Sequence, residues 1–451
     1  MANETTRLAE YAAALRYDDI PAGVVERAKH CITDTVASIV FGHHLPWSRM
    51  IVAFAEKNGA GGKSRILGPG GARVQAGAAA LANGALAHAF EMDNLTWPNT
   101  GVHPGATLLS SGLAVAQERG IGGRELIAAF VAGSEVMIRI GRATRHNNET
   151  RGFHAPGTTG PFGAAVACGK LMGFDAGRMR NALGIAGSLA CGLLEFARSG
   201  TGAMVKRLHL GRAAESGVLA ASLAADGFTG PASVLEGEFG YLQVFCGGDY
   251  DTGELTRELG EGYATLSIML KRFPCHITAH TSVQAIQELR EAHRYSGADV
   301  VSVAIAGNDK MVRINNIPRP ADVMMAQYSI PFCVALAHFR DPRDPRSFDE
   351  TALGDPQIRA LTERITMTVA KERPTPLAAE VIVTLRDGRR LRRQVADFKG
   401  TPGRPLDRDE LRDKFLLSTR NCGGEDMALM FDRLQNLENE ASLDWIGVRA
   451  Q

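Results

Sequence analysis

Cysteine is scarce in this chain, and its few copies are scattered. There are seven cysteines among 451 residues, and no two of them have the CxxC spacing of a zinc or redox motif. An odd and dispersed set argues against a disulfide framework and against a structural zinc site. We therefore expect free, mostly buried thiols in a cytoplasmic protein.

The sequence also has neither an excess of one charge nor a long apolar run. The 50 basic and 49 acidic side chains give a net charge of +1, which offers no reason to expect nucleic acid as a partner. Apolar segments such as 126–137 are interrupted by glycine, serine and glutamate, so no membrane span is predicted. The N-terminus lacks a basic segment followed by an apolar run, and we expect no secretory signal.

Helical periodicity dominates the first 262 residues. The clearest helix is predicted to begin at Pro21 and to end at Gly42, with apolar residues recurring every three or four positions between them. Many of the segments are rich in alanine and glycine, which lets helices pack at close range. Further helices are predicted near 74–89, 106–118, 123–144, 157–172, 176–197 and 207–225.

The pattern changes near residue 263 and becomes helical again from residue 407. Between these points helices are predicted over 277–293 and 322–338, and strands over 264–270, 300–305, 365–370, 380–385 and 389–395. The predicted fold class is mainly α with an α+β lid, in which an all-helical domain is interrupted by a smaller α+β domain. The predicted parts are a helical domain over 1–262, the lid over 263–400, and C-terminal helices over 401–451 that rejoin the helical domain.

Two familiar motifs are incomplete. Residues 58–64 resemble a P-loop, but a lysine stands where the first glycine belongs, and no strand is predicted before it. His276 and His280 have a spacing that could seat a metal on a helix, but no third ligand of a suitable type lies nearby in the sequence. We therefore expect neither a bound nucleotide nor a metal.

Four turns, at 88–104, 151–160, 204–212 and 270–280, concentrate histidine, lysine and acidic residues among glycine and proline. Loops between rigid helices often display catalytic groups, and cations at a helix start are disfavoured unless an anion joins them. Each turn alone has an ordinary explanation, namely a helix-capping loop, a simple turn, a solvated basic face or a packing histidine, but four in one chain indicate a site for a small anion. The candidate residues in these turns are Glu91, Asp93, Thr96, His103, His154, Lys206, Arg207, His209, Arg212, Lys271, His276 and His280.

At these turns the chain resembles the MmgE/PrpD family, which includes 2-methylcitrate dehydratase, cis-aconitate decarboxylase and iminodisuccinate epimerase. The resemblance covers nearly the whole chain. It implies an active site between the helical domain and the lid, usually in a homodimer, with no metal or organic cofactor. Its most specific pieces are Leu81-Ala-Asn-Gly with His88, His103-Pro104, Lys206-x-x-His209-x-Gly211 and Lys271-Arg-Phe-Pro-Cys-His276.

The resemblance also implies roles for the candidate residues. His103 would transfer the proton, because an unperturbed imidazole titrates near neutrality. Fixed cations would stabilise negative charge that develops beside a carboxylate. The catalytic set implied is His103, Lys271, His276, Asp93 and Glu91, and the substrate-binding set is Thr96, His154, Lys206 and His209.

The acidic loop departs from the family pattern. The family usually reads H-x-x-D-x-D-D-T, whereas this chain has Glu91, Asn94 and an extra Leu95.

The predicted function is a cofactor-free acid–base lyase, either a dehydratase or a decarboxylase, acting on a small di- or tricarboxylic acid such as 2-methylcitrate or cis-aconitate. Two alternatives stay open: an epimerase of an aminodicarboxylate such as iminodisuccinate, and an inactive homologue that binds carboxylates.

Overall fold

Helices make up most of the part of the chain that the computed structural model describes, namely residues 3–98, 101–197 and 203–447. Those before residue 262 are α1 Glu4–Ala14, α2 Ala22–Gly42, α3 Pro46–Asn58, α4 Ala76–Ala87, α5 Ser110–Arg119, α6 Gly123–Ala143, α7 Asn147–Thr150, α8 Ala155–Leu171, α9 Ala176–Ser188, α10 Val205–Ala225 and α11 Tyr241–Cys246. A π-helical segment, Gly105–Leu109, leads into α5. Two short strands, β1 Ala60–Arg65 and β2 Arg73–Val74, pair antiparallel.

Helix α9 ends earlier than the periodicity predicts. The predicted helix over 176–197 stops at Ser188, and a separate short 3-10 turn covers Leu194–Ala197. Between them Gly192 adopts a φ of 123°, which no α-helix accepts. The carbonyl of Gly192 instead accepts a hydrogen bond from the backbone N–H of His154. The interruption therefore helps to position a candidate site residue.

Two central helices touch through glycine. A Cβ atom built on Gly84 of α4 would lie 2.8 Å from the Cα atom of Gly211 in α10, and one built on Gly211 would lie 2.2 Å from the Leu81 carbonyl oxygen. Neither distance is possible for a real side chain, so the backbones of α4 and α10 are in direct contact. This contact sets the distance between His88, which follows α4, and the candidate residues on α10.

A mixed sheet and a second set of helices lie between residues 268 and 400. The strand order of the sheet is β6-β5-β7-β8, with β5 parallel to β6 and antiparallel to β7. Helix α12 packs on β7 and β8. The elements are β4 Ile268–Met269, α12 His280–His293, β5 Val300–Gly307, α13 Asp309–Arg313, α14 Val323–Tyr328, α15 Ile330–Phe339, α16 Glu350–Gly354, α17 Pro356–Thr362, β6 Ile365–Val369, β7 Ala379–Leu385 and β8 Arg390–Val395. A mainly α fold with a small α+β part is confirmed.

One predicted strand is largely wrong. Of the segment 264–270 only β4 is extended, and it pairs with β3 Leu95–Thr96, while Ala264–Ser267 form a 3-10 turn. The physical reason is the buried carboxylate of Glu135, which accepts hydrogen bonds from the backbone N–H groups of Ala264 and Thr265. Those groups are therefore not available to a neighbouring strand.

The last helices pack on the first long one. Helices α18 Arg408–Thr419 and α19 Gly424–Gln435 both contact α2, and their apolar residues belong to the same buried cluster as the early helices. Residues of the sheet and of α12 to α17 form a second buried cluster, which also contains Phe90 and Met92. The domain limits at 262 and 400 stay predictions. Across the described ranges, no helix combines the length and the apolar character needed to cross a membrane.

We predict that Gly211→Ala destabilises the protein by about 1–3 kcal/mol, because the added methyl group would overlap the backbone of α4. Urea unfolding at neutral pH measures the change. Gly23→Ala is the matched control, since Gly23 also lies in a helix and has nothing within 4 Å of its built Cβ atom. An unchanged free energy of unfolding for Gly211→Ala would contradict the helix contact.

Candidate active site

Two histidines bind one carboxylate oxygen beyond the end of α4. Asp93 Oδ2 accepts a hydrogen bond from His88 Nδ1 at 2.9 Å and another from His103 Nδ1 at 2.7 Å. The side chains of Asp93 and His88 are fully buried, whereas 11% of the His103 side chain is exposed. Because a carboxylate only accepts hydrogen bonds, both rings carry their proton on Nδ1. Nε2 of His103 is therefore the nitrogen left to exchange a proton with a ligand.

Burial and ion pairing shift the pKa values of Asp93 and His88 in opposite directions. Burial raises the pKa of Asp93, but the charges and hydrogen bonds of His88 and His103 hold that pKa well below its usual range. Burial lowers the pKa of His88 to about 4, although the neighbouring Asp93 opposes the shift. At neutral pH an ionised Asp93 therefore stands beside a neutral His88. The anion faces the Nδ1 side of His103 and fixes its tautomer.

A second buried carboxylate, Glu91, joins two lysines from separate elements. Lys206, in the first turn of α10, donates to Glu91 Oε1, and Lys271, two residues after β4, donates to Oε2 at 2.8 Å. The hydroxyl of Tyr328 lies 3.2 Å from Glu91 Oε1 and 2.6 Å from Lys206 Nζ. Burial raises the pKa of Glu91, but the two ammonium groups hold it well below its usual range. Glu91 is therefore an anion shared by two cations.

Two further histidines share a hydrogen bond. His154, at the N-terminus of α8, and His209, on α10, have Nδ1 atoms 2.9 Å apart. One ring must donate and the other accept, which requires at least one neutral imidazole. Burial lowers the pKa of both histidines, so both are neutral at neutral pH. The centroid of the His154 ring lies 6.3 Å from that of His88. The pair therefore lies next to Asp93, His88 and His103, which we call the Asp93 group.

His276 and Thr96 are the two remaining residues of the predicted catalytic and substrate-binding sets. His276 stacks on Tyr328 with ring centroids 4.9 Å apart, and its Nδ1 atom lies 2.8 Å from the Thr278 hydroxyl. Thr96 is buried in β3, opposite Ile268 of β4. The contacts form two sets, one joining Asp93, His103, His154 and His209 through His88 and the other joining Glu91, Lys206, Lys271 and His276 through Tyr328. The two sets are close enough for the charge of Lys206 to lower the pKa of His88. Thr96 lies on the strand that follows the acidic loop.

Asn94 fixes the acidic loop in place. Its Nδ2 donates to Asp34 Oδ2 on α2 at 3.1 Å, and its Oδ1 accepts from the backbone N–H of Gly105 at 2.9 Å. Lys414 of α18 donates to Asp34 and, at 3.0 Å, to the carbonyl oxygen of Met92. The loop is therefore attached to α2, to α18 and to Gly105, which begins the π-helical segment after His103.

His88, Asp93 and His103 also have ligand atoms within 4.8 Å of one another, close enough to hold a metal ion. The Nδ1 atoms of both histidines already donate protons to Asp93, and a metal bound through them would have to displace those protons. His276 and His280, the two histidines with metal-binding spacing in the sequence, have different surroundings. His280 packs against two phenylalanine rings, and His276 stacks on a tyrosine. We interpret the Asp93 group as a proton-transfer arrangement.

Two models of one known family match this chain. Residues 6–252 match the MmgE/PrpD N-terminal domain, and residues 273–437 match the MmgE/PrpD C-terminal domain. The chain belongs to the MmgE/PrpD family. The resemblance seen in the sequence is thereby confirmed, and with it membership of a family of enzymes.

Several relatives of this MmgE/PrpD family member carry decarboxylase names. The chain is 33% identical over 301 residues to cis-aconitate decarboxylase of Aspergillus terreus, a match that covers 64% of this chain and 60% of that protein. It is 27% identical over 411 residues to human cis-aconitate decarboxylase, covering 87% and 82%. It is 27% identical over 466 residues to an Aspergillus oryzae protein named cis-aconitate decarboxylase-like protein oryM, covering 97% and 93%. The chain thus spans about three-fifths of the length of the Aspergillus terreus relatives.

Three side chains that complete the site were not among the predicted residues. His88 belongs to a predicted loop, and its place five residues before Asp93 was a usable signal. No charged residue lies near Tyr328 in the sequence, so nothing local marked it as a site residue. Only the tertiary fold brings its hydroxyl to Lys206. Asn94 was noted only as a departure from the family pattern, because its partner Asp34 lies 60 residues earlier in the chain.

We predict that Asn94→Asp destabilises the protein at neutral pH by about 3–5 kcal/mol, because it places a second buried carboxylate beside Asp34. Burial already raises the pKa of Asp34. A carboxyl with a raised folded-state pKa costs stability above that pKa, so the deficit against wild type should shrink as the pH falls from about 7.5 to about 5. Urea unfolding at both pH values measures this.

The double variant Asp34→Asn, Asn94→Asp is the control for that prediction, because it restores a single carboxylate at the same place. It should recover most of the stability lost by Asn94→Asp. A deficit that stays constant or grows on acidification would contradict the arrangement of Asn94 and Asp34.

Proposed function

We propose that this MmgE/PrpD family member is a lyase that removes CO2 or water from a small di- or tricarboxylic acid. The observation that carries the proposal is His103, an imidazole oriented by Asp93, near the buried lysine pair Lys206 and Lys271, of which Lys206 is close enough to shift the pKa of His88 beside the same Asp93. An oriented imidazole can move a proton, and fixed ammonium groups can bind carboxylates and stabilise negative charge. The decarboxylase names of the relatives support the same reaction class.

His103 would be the proton-transferring residue. Its Nδ1 is engaged by Asp93, so a proton taken up at Nε2 produces an imidazolium beside a carboxylate, which stabilises it. It is also the one member of the Asp93 group whose side chain has measurable exposure, 11% against none for His88 and Asp93. A ligand can therefore reach His103 before it reaches the other two.

The lysines and neighbouring histidines would hold the substrate and balance its charge. In a decarboxylation the bond to CO2 breaks, its electron pair stays on the substrate, and protonated His103 delivers a proton to the carbanion formed. In a dehydration His103 removes a proton from carbon and returns it to the hydroxyl group, which leaves as water while the double bond forms. Lys206 and Lys271 would stabilise the intermediate charge in either case. Thr96, His154, His209 and His276 would orient the remaining carboxylates.

Cis-aconitate is the first substrate we propose, because the fungal and human relatives are named for it. Proton NMR in D2O with cis-aconitate, 2-methylcitrate, citrate and iminodisuccinate tests the proposal. Loss of CO2 or water from one of the acids supports the lyase. Deuterium entering a stereocentre without such loss would favour the epimerase instead. No product and no exchange with any compound would count against the lyase.

We predict that His103→Ala lowers the turnover number by about two to four orders of magnitude, because general acid–base catalysis contributes that much. Circular dichroism and the urea midpoint should stay close to wild type. His293→Ala, an exposed histidine on α12, is the matched control and should keep full activity. A His103→Ala rate near that of the control would remove His103 from the reaction.

We also propose that the chain forms the homodimer usual for the family, through the outward face of α10. Val205, Leu208 and Leu219 on this face are 47%, 37% and 41% exposed. They recur at helical spacing with Arg212 between them, while the remaining faces of α10 pack on α4 and α8. Three apolar side chains along a helix of 21 residues, with Arg212 paired to Glu215 between them, are suited to pack against the same helix of a second copy.

We predict that Leu219→Arg converts a dimer to a monomer, because it buries two unpaired charges across a two-fold contact. Size-exclusion chromatography with light scattering measures the mass. Leu429→Arg on α19 is the control, since Leu429 is 60% exposed on a different face and its replacement should leave the mass unchanged. A wild-type monomer, or a Leu219→Arg dimer, would reject this interface.

A further inference from the structure

Glu91 is a carboxylate at the place where the proposed function needs a substrate carboxylate. Each of its oxygens takes one lysine, Lys206 at Oε1 and Lys271 at Oε2, and the Tyr328 hydroxyl adds a third contact. Two fixed ammonium donors on separate oxygens are a common way of binding a carboxylate. The lysine pair is therefore already occupied by a carboxylate that belongs to the protein.

The ionised groups in direct contact at the site carry no surplus positive charge for a polyanion. Lys206 and Lys271 supply two ammonium groups, and Glu91 and Asp93 supply two carboxylates, so these formal charges cancel. Two further cations act on the cluster, the buried Arg207 beside Lys206 and the exposed Lys310 near His276. A tricarboxylate would still enter with part of its charge uncompensated unless one resident negative charge were removed. The surrounding histidines add no charge at neutral pH, because burial lowers their pKa; they are His88, His154, His209 and His276.

The backbone on both sides of Glu91 is held in place. Gln327 Nε2 donates to the Phe90 carbonyl oxygen at 2.8 Å, and Lys414 Nζ donates to the Met92 carbonyl oxygen at 3.0 Å. Glu91 itself has a φ of 55°, in the left-handed region that side-chain-bearing residues seldom adopt. The loop is thus fixed, but the side chain keeps its own torsions. Any displacement of Glu91 from the lysines is therefore a rotation of its side chain and not a movement of the loop.

We propose that Glu91 is a specificity-determining counter-ion that occupies the lysine pair in the empty site and gives way to a carboxylate of the substrate. The inference deepens the proposed function and rests on it in taking carboxylic acids as the ligands. A carboxylate displaced from both lysines but still buried takes up a proton from solvent, because a lone buried charge is too costly. Binding of the ligand is therefore coupled to protonation of Glu91.

Calorimetric titration with propane-1,2,3-tricarboxylate tests the exchange, since this acid has neither a double bond nor a hydroxyl group to lose. Wild type and Glu91→Gln are titrated in two buffers of different ionisation enthalpy, at one pH and one ionic strength. Wild type should take up about one proton more per ligand than Glu91→Gln does. Glu91→Gln should bind about tenfold or more tightly, because a neutral amide competes poorly for the lysines.

Glu135→Gln is the matched control, because Glu135 is also a buried carboxylate but pairs with Arg139 outside the cluster. Its affinity and proton uptake should equal those of wild type. Equal proton uptake by wild type and Glu91→Gln, or weaker binding by Glu91→Gln, would overturn the inference, as would failure of both to bind. Should Glu91→Gln not fold, the wild-type titration decides, since binding without proton uptake contradicts the exchange.

The result is separable from the proposed function because the probe is not turned over. An enzyme that binds the tricarboxylate with the expected proton uptake, yet converts none of the candidate acids, would reject the lyase and leave the counter-ion in place. An active lyase in which Glu91→Gln binds the probe less tightly would reject the counter-ion alone.

Discussion

The close approach of α4 and α10 determines how the histidines and lysines of the candidate site are placed. Gly84 and Gly211 leave no space for side chains between the two backbones. His88 follows the end of one helix, and Lys206 begins the other. A wider separation would move the histidine group away from the lysine pair. The geometry of the site thus depends on two residues that have no polar atom to contribute beyond the backbone.

Burial then decides the charge state of what the helices bring together. An isolated ion is too costly in this interior, so each carboxylate has donors and each lysine has an anion. Asp93 is held by two rings, and Glu91 by two ammonium groups. His154 and His276 remain neutral at neutral pH because burial lowers their pKa. Removing one partner of such a pair leaves a lone charge, so these residues act as a unit.

Much of this could be predicted from the sequence, and the reasons for success and failure are physical. The helix from Ala22 to Gly42 and the strands β5 to β8 follow local periodicity, which depends on neighbouring residues alone. The predicted strand over 264–270 was largely wrong because the buried carboxylate of Glu135, distant in the chain, accepts hydrogen bonds from the N–H groups that a strand would use. Local patterns do not contain such contacts.

The candidate site shows the same division. His103 and Lys271 lie in turns whose histidine and lysine content is visible in the sequence, and the family resemblance gave them their roles. Tyr328 was not named and Asn94 was named only as a departure from the family pattern, since both acquire their contacts through partners 122 and 60 residues away. Glu91 was named from the sequence, but its attachment to both lysines required the structure.

The contact of Lys414 with the acidic loop has a consequence for how the protein is made. Lys414 follows Met92, whose carbonyl oxygen it binds, by 322 residues. During synthesis the loop is complete long before α18 leaves the ribosome, and until then Asp34 lacks its cation and the loop lacks one of its attachments. Contacts between residues so far apart in sequence form late in folding. The nascent chain therefore carries every catalytic candidate up to His276 well before it can hold them in working order.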